Sequence, residues 1–323
     1  DQLWSTSLVA AIAARARRAA CLVAFNQRDR KFALWAGLRT AAPVVVHVGN
    51  QHRFHGPRLW RWFKEKIYGF YIRRASLLVC TSPTVEAEML ERFGTDPART
   101  VTLPNGIEVD RFEKMAKLER ASLGVSEQAI LALNLGRLAP QKGQDLLLEA
   151  LARVEEPRLH LLLVGQPAHG SPGYGSGLRE LAARLGIGQR VHFLGWRDDV
   201  AELLGTADFF VASSRWEGSP LAVLEAMAAG LPVLYTDCSG RLGGFEDGVH
   251  GQTVATGQVE PLARGLSALA RLTPEQRRQS GLAARQLVRQ NYDVVSITGP
   301  RFVALIEALL KRSSPAESAT ARD

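Results

Sequence analysis

Short apolar runs rich in β-branched residues alternate along this chain with longer amphipathic stretches. That is the pattern of a mainly parallel sheet covered by helices on both faces. Runs at residues 21–25, 44–48, 77–80 and 101–103 predict one series of strands. Runs at 130–135, 159–164, 191–194, 209–212, 233–235 and 253–255 predict a second. Between the two series the chain turns polar, from Asn105-Gly106 to Ser126-Glu127-Gln128, which places a domain boundary near residues 120 and 121. Thr273-Pro274-Glu275-Gln276 reads as an N-cap, a Pro at the first helical position and a capping-box Gln. A last helix is expected over about 294–312, folded back on the first lobe, followed from residue 313 by a Ser/Ala/Thr-rich tail of disordered composition.

Length agrees with two lobes, since 323 residues exceed one ordinary core. No run approaches the ~18 to 20 apolar residues that a membrane-spanning helix needs. Lys and Arg number 40 against 32 Asp and Glu, and the resulting +8 favours anionic partners: nucleotides, phospholipid headgroups or nucleic acid. No nucleic-acid-binding motif accompanies the charge, so that partner is set aside. Cys21, Cys80 and Cys238 are odd in number and far apart, which suits small buried hydrophobes in a reducing cytoplasm. No Asp-x-Asp and no His/Cys cluster calls for a metal.

The most informative stretch runs from Glu217-Gly218-Ser219-Pro220-Leu221 through Glu225 to Gly230-Leu231-Pro232-Val233. Ser219 suits an N-cap and Pro220 a first helical residue, so the Gly218 and Ser219 amides would open a helix start toward an anion. Glu217 sits before that helix and Glu225 more than one turn inside it, and each carboxylate can accept two sugar-hydroxyl hydrogen bonds. A second constellation, Gly136-Arg137-Leu138-Ala139-Pro140-Gln141-Lys142-Gly143, closes a strand and opens a helix. Strand C-termini are where α/β sheets bind ligands, and Arg137 and Lys142 there suit phosphate.

Two glutamates separated by seven residues, Gly218 to Leu224, followed by Ala-Met-Ala-Ala-Gly-Leu-Pro-Val, resemble the signature of the family 4 retaining glycosyltransferases of GT-B fold. The resemblance covers residues 44–312. It implies two Rossmann-like lobes facing a cleft, the acceptor on the first and a UDP- or GDP-sugar donor on the second, with no further cofactor. Glu217 would contact the transferred sugar and Glu225 the ribose, while Arg137 and Lys142 would neutralise the leaving diphosphate. Asn105-Gly106 looks like the family's interdomain segment and Gly165 like its glycine near the nucleotide, alongside Gly136. Trp196 and Arg197 are candidates to line the base. Similarity to bacterial envelope enzymes implies a glycan or lipid-linked acceptor, as in lipopolysaccharide and other surface polysaccharides.

The departures are specific. Gly49 fills the slot of the family's first-lobe histidine, which leaves His47, one strand period earlier on the same face, and the loop residues His52 and His55 as replacements. Gly240-Arg241-Leu242-Gly243-Gly244 lacks the glutamate that often follows a Gly in the family. The first lobe lacks the family's opening strand and Gly-rich loop and is read as incomplete at its N-terminus. A sugar-nucleotide epimerase and a non-catalytic sugar-nucleotide-binding subunit stay open as rival functions. Finally, residues 53–74 interleave seven Lys and Arg with seven aromatics, a composition suited to an anionic membrane face and equally to an ordinary solvated helix.

Overall fold

In the computed structural model, which describes residues 6–313 except positions 26, 55, 114 and 172, each of the ten apolar runs becomes a strand and every pairing between them is parallel. The expected tail beyond residue 313 and the candidate His55 lie outside the described residues. The chain divides into two units, residues 1–105 with 298–323, and residues 106–297.

The first unit runs α1 (Thr6–Ala16), β1 (Leu22–Ala24), α2 (Gln27–Thr40), β2 (Val44–Val48), α3 (Arg58–Ile72), β3 (Leu77–Cys80), α4 (Pro83–Ala87) and β4 (Thr100–Thr102), with strands in the order β1-β2-β3-β4. The second holds β5 (Ile130–Leu135), α5 (Gln144–Ala152), β6 (Leu159–Val164), α6 (Tyr174–Arg184), β7 (Val191–Gly195), α7 (Val200–Thr206), β8 (Phe209–Ala212), α8 (Leu221–Ala228), β9 (Val233–Thr236), β10 (Gly251–Val254), α9 (Val259–Arg271) and α10 (Pro274–Tyr292). The last helix, α11 (Gly299–Ser313), belongs to the first unit.

Burial on both faces explains why the strands are continuously apolar rather than alternating. In the first unit Val44, Val46, Val48, Leu78 and Cys80 pack with Leu34, Ile72 and Met89, whereas Val45, Leu77 and Val79 turn to the other side. There α11 covers them with Leu309, Phe302, Leu305 and Ile306. In the second unit Leu131, Leu133 and Phe210 serve one core, and Ile130, Ala132, Phe209 and Val211 the other.

Residues 106–120 differ from the sequence reading, which gave them to the first lobe. Val109 and Phe112 are buried in the second unit's core, and Ile107 donates its N–H to Tyr292 O at 2.9 Å while accepting from Val294 N at 2.9 Å. Apolar side chains inside that polar-looking stretch move the division to Asn105 and Gly106. The capping box at α10 forms: Thr273 Oγ1 accepts from the Gln276 amide at 3.2 Å and Gln276 Oε1 from the Thr273 amide at 2.8 Å.

The second sheet has the order β10-β9-β8-β5-β6-β7. The chain starts at β5, builds outward through β6 and β7, then returns to β8 on the other flank. The loops leaving β5 and β8 therefore diverge over neighbouring strands, and the crevice at such a reversal is where open α/β sheets take ligands.

Candidate functional site

Both sequence constellations fall on that reversal. The loop after β5 carries Arg137 and Lys142, and the loop after β8 carries Glu217, Gly218 and Ser219. Backbone and side-chain bonds stitch them together: Arg215 N donates to Gln141 O at 2.7 Å, Gln141 Nε2 to Trp216 O at 3.0 Å, and Ser213 Oγ to Lys142 O at 3.0 Å. Gly143 permits this approach, because its φ is +64° and a Cβ there would stand 2.1 Å from Ser213 O. An L side chain would meet both a strained dihedral and a carbonyl.

The chemistry converges on one pair. Lys142 Nζ donates to Glu217 Oε1 at 2.5 Å, and Ser214 Oγ donates to the same oxygen at 2.8 Å. Their side chains are 24% and 11% exposed, so the pair is largely shielded yet reachable. Arg137 is exposed, and among the described residues nothing pairs with its guanidinium. The Gly218 and Ser219 amides likewise find no protein acceptor among the described residues. A cation, a second cation in a carboxylate's grip, and two open amides form a site complementary to a diphosphate.

The helix start differs from the expectation. Ser219 is not the N-cap of α8: Pro220 holds that place with ψ 75° and no side chain caps the helix. Leu221 N instead turns back to Ser219 O at 3.0 Å, so the helix opens at Leu221, one residue later than the Pro suggested. Leu221 is exposed and Pro220 half-buried at this opening.

Glu225 is half-buried on α8, with burial pushing its carboxyl above the usual range and Arg111 opposing that shift. Among the described residues its carboxylate accepts no hydrogen bond, which leaves those oxygens open to hydroxyl donors. Gly136 and Gly165 end β5 and β6, where a Cβ on Gly165 would lie 1.9 Å from Gly136 O, and Gly165 N donates to Gly195 O at 2.8 Å. Three strand ends thus approach without side chains. Beyond them Trp196 is 67% exposed and tied by Nε1 to Asp198 at 2.9 Å, while Arg197 is spent on Asp199 at 2.7 Å.

Several supporting residues escaped the sequence reading. Arg215 makes two 2.8 Å bonds to Asp145 and one to Pro140 O, and Tyr174 donates to Asp145 at 2.7 Å. Ser214 was visible only as a polar residue ending a buried strand. Cys238 lies close to the pair, its thiol pushed up to about 11 chiefly by burial.

In the first unit, His47 and Asn105 come together, with His47 Nε2 3.1 Å from Asn105 Oδ1. Burial holds the His47 imidazole below its usual range, Asn105 counters, and Arg30 adds to the lowering. Gly49 leaves room beside this ring, since a Cβ there would sit 3.6 Å from His47 Cε1. His52 is differently placed. It is 3% exposed, 2.9 Å from Arg30 Nη1, backed by Tyr68 at 4.2 Å between ring centroids, and its amide donates to Glu88. Its ring is enclosed in the unit's aromatic core. Among the described residues no three His, Cys, Asp or Glu side chains converge as a metal-ligand set.

Residues 115–287 match the family model described as glycosyl transferases group 1, and residues 4–111 match glycosyltransferase family 4. A D-inositol 3-phosphate glycosyltransferase of Geodermatophilus obscurus is 35% identical over 57% of this chain and 43% of its own length. A lipopolysaccharide core biosynthesis glycosyltransferase, LpsE of Rhizobium meliloti, is 30% identical over 61% of this chain and 54% of its own. The chain thus spans about half the length of these curated relatives. The crystal structure of Anabaena HepE in complex with UDP and glucose superposes with a TM-score of 0.81 at 25% identity, covering 93% of this chain and 82% of that one.

Proposed function

The chain belongs to the group 1 and family 4 glycosyl transferases, and from that premise we propose that it moves a sugar, with retention, from a UDP- or GDP-sugar to a hydroxyl of a glycan or lipid-linked acceptor. The observation that carries this reading is the Lys142–Glu217 pair beside Arg137 and the open Gly218 and Ser219 amides at the strand reversal. UDP in the Anabaena structure supports uracil as the base. The second unit holds the donor and the first the acceptor, in the cytoplasm or on the inner face of a membrane.

In the proposed step the acceptor oxygen bonds to the anomeric carbon on the face from which the diphosphate departs. The bond between that carbon and the phosphate oxygen breaks, and the acceptor's proton passes to a diphosphate oxygen. Arg137, Lys142 and the two amides stabilise the charge that grows on the leaving group, and preorganised donors of this kind supply the largest share of catalysis in such sites. Glu217 contacts the sugar and steers Lys142; Glu225 takes the ribose hydroxyls, Trp196 and Arg197 flank the base, and His47, oriented by Asn105, serves the acceptor side.

The test is product analysis with a panel of UDP- and GDP-sugars, with and without a glycan or lipid-linked acceptor. Acceptor-dependent release of nucleoside diphosphate with the anomeric configuration kept supports the reading. An epimerised sugar nucleotide formed without acceptor, or binding with no turnover of any donor, would overturn it.

A further inference from the structure

The chain's charge is unevenly divided. Residues 1–105 with 298–323 hold 20 Lys and Arg against 10 Asp and Glu, whereas residues 106–297 hold 20 against 22. The densest cationic stretch, residues 53–74, has seven Lys and Arg against Glu65 alone, and most of it forms α3.

One face of α3 does what a lobe helix should. Gly69 and Ile72 are buried, and Tyr68 and Tyr71 pack against the unit's core. At 100° per residue these positions and Glu65 centre on one side of the helix. The opposite side is also apolar. Leu59, Phe63 and Phe70 fall within an arc of about 40° there, with Trp60 and Trp62 within about 60° of its edges. They are 76%, 50%, 49%, 60% and 55% exposed respectively. All seven positions from 58 to 64 are exposed, nearly two full turns.

Cations frame this outward ridge. Lys66, Arg73 and Arg74 lie along it, the Arg74 guanidinium 3.5 Å over the Phe70 ring, and Arg58 and Lys64 flank its first turns, whereas Arg61 falls on the core-facing side. Arg61 also borders two hollows of about 470 and 220 Å³, shared with Phe54 and Arg92. Contiguous exposed apolar surface of this kind marks an interaction site. Aromatics with Lys and Arg around them match the interfacial layer of an anionic bilayer, where rings sit at headgroup depth and cations meet phosphates. Among the described residues no helix is long and apolar enough to cross a membrane, so α3 would lie along the surface.

We propose that the outward face of α3, led by Leu59, Trp60, Trp62, Phe63 and Phe70, docks this unit on an anionic lipid bilayer. Arg58, Lys64, Lys66 and Arg74 supply the electrostatic attraction. Docking does not depend on the transfer reading, because it needs no donor and no acceptor.

The experiment is flotation of the whole chain with phosphatidylglycerol-containing vesicles and with phosphatidylcholine alone, at low and high salt, without substrate. Binding to the anionic vesicles alone is expected, weakening with salt. A basic residue near such a surface is worth about fivefold in affinity. Arg58→Glu/Lys64→Glu/Lys66→Glu should therefore lower binding by about a hundredfold or more. Trp60→Ser/Trp62→Ser/Phe63→Ser should also abolish flotation while keeping every cation and, at exposed positions, an unchanged Tm. No flotation at low salt would overturn the proposal. So would binding that either triple variant retains, or a concentration-dependent dimer that the serine variant abolishes without any lipid binding.

Discussion

Replacing Lys142 tests the site where its chemistry and its stability meet. In the free protein its ammonium is held 2.5 Å from Glu217, and the same carboxylate oxygen accepts from the Ser214 hydroxyl. Lys142→Ala would leave Glu217, only 11% exposed, without its counter-charge. Breaking a fully buried pair costs about 3 to 5 kcal/mol, and partial exposure brings this nearer ~2 kcal/mol. For a unit of this size that lowers Tm by about 4 to 8 °C. Activity should fall further, by about a hundred- to a thousandfold in turnover, as when one preorganised donor to a developing anion is removed. Lys142→Met/Glu217→Gln separates the two effects. A neutral pair of similar volume recovers most of the stability, with Ser214 still able to donate, but the diphosphate has still lost its cation. Thermal melts and donor turnover on the three proteins decide it. Unchanged turnover in Lys142→Ala, or a double variant that regains turnover along with stability, would refute the reasoning.

Two further outcomes follow from individual residues. Burial raises the Glu225 carboxyl above 4.5, so the folded state binds its proton more tightly than the unfolded state, and the stability this confers is lost as pH rises through the folded value. Glu225→Gln should therefore melt higher than the parent at neutral pH, with the difference gone at pH below 4.5, while UDP affinity measured by calorimetry drops about ten- to a hundredfold. A lower Tm at neutral pH would contradict the assignment. At Gly165, with φ +145° and a would-be Cβ 1.9 Å from Gly136 O, Ala must push two strand ends apart. A loss of about 3 kcal/mol or more is expected in chemical denaturation, and an unchanged midpoint would show that these ends are not packed as described.

The fold was legible because the central strands are buried on both faces. That turns them into uninterrupted apolar runs such as Leu77–Cys80 or Phe209–Ala212, bounded by polar chain. The division at residue 106 was not, because Val109 and Phe112 sit singly among charged neighbours and their burial depends on Asp293 and Tyr292, far away in sequence. The start of α8 misled for a local reason. Ser-Pro has the composition of an N-cap and first turn, yet Pro220 takes a ψ of 75° because the Ser219 carbonyl accepts from Leu221 rather than opening the helix. The aromatic stretch at 58–74 shows a further limit. Its periodicity reveals an amphipathic helix but cannot say which of two apolar sides meets the core, and only packing places Tyr68 and Ile72 inward and Phe63 and Phe70 outward.

The candidate site was legible as two motifs, whereas their joining was not. Lys142 and Glu217 are 75 residues apart, and no local pattern connects them. What connects them is the order of strands: β5 and β8 are neighbours although β6 and β7 intervene in the chain, so the loops that follow them must open side by side. Gly143 then lets those loops touch, and Arg215, bridging Asp145 and Pro140, fixes their spacing. Against its burial, Asp145 is in turn held below the usual carboxylate range by Arg215 and Tyr174. The bridge is therefore an ion pair whose stabilising contribution is present above the unfolded carboxylate's range and is lost only as pH falls through the lowered one. Across the neutral range the two loops stay clamped, and the cation proposed to meet the diphosphate is presented on a frame that does not loosen with pH.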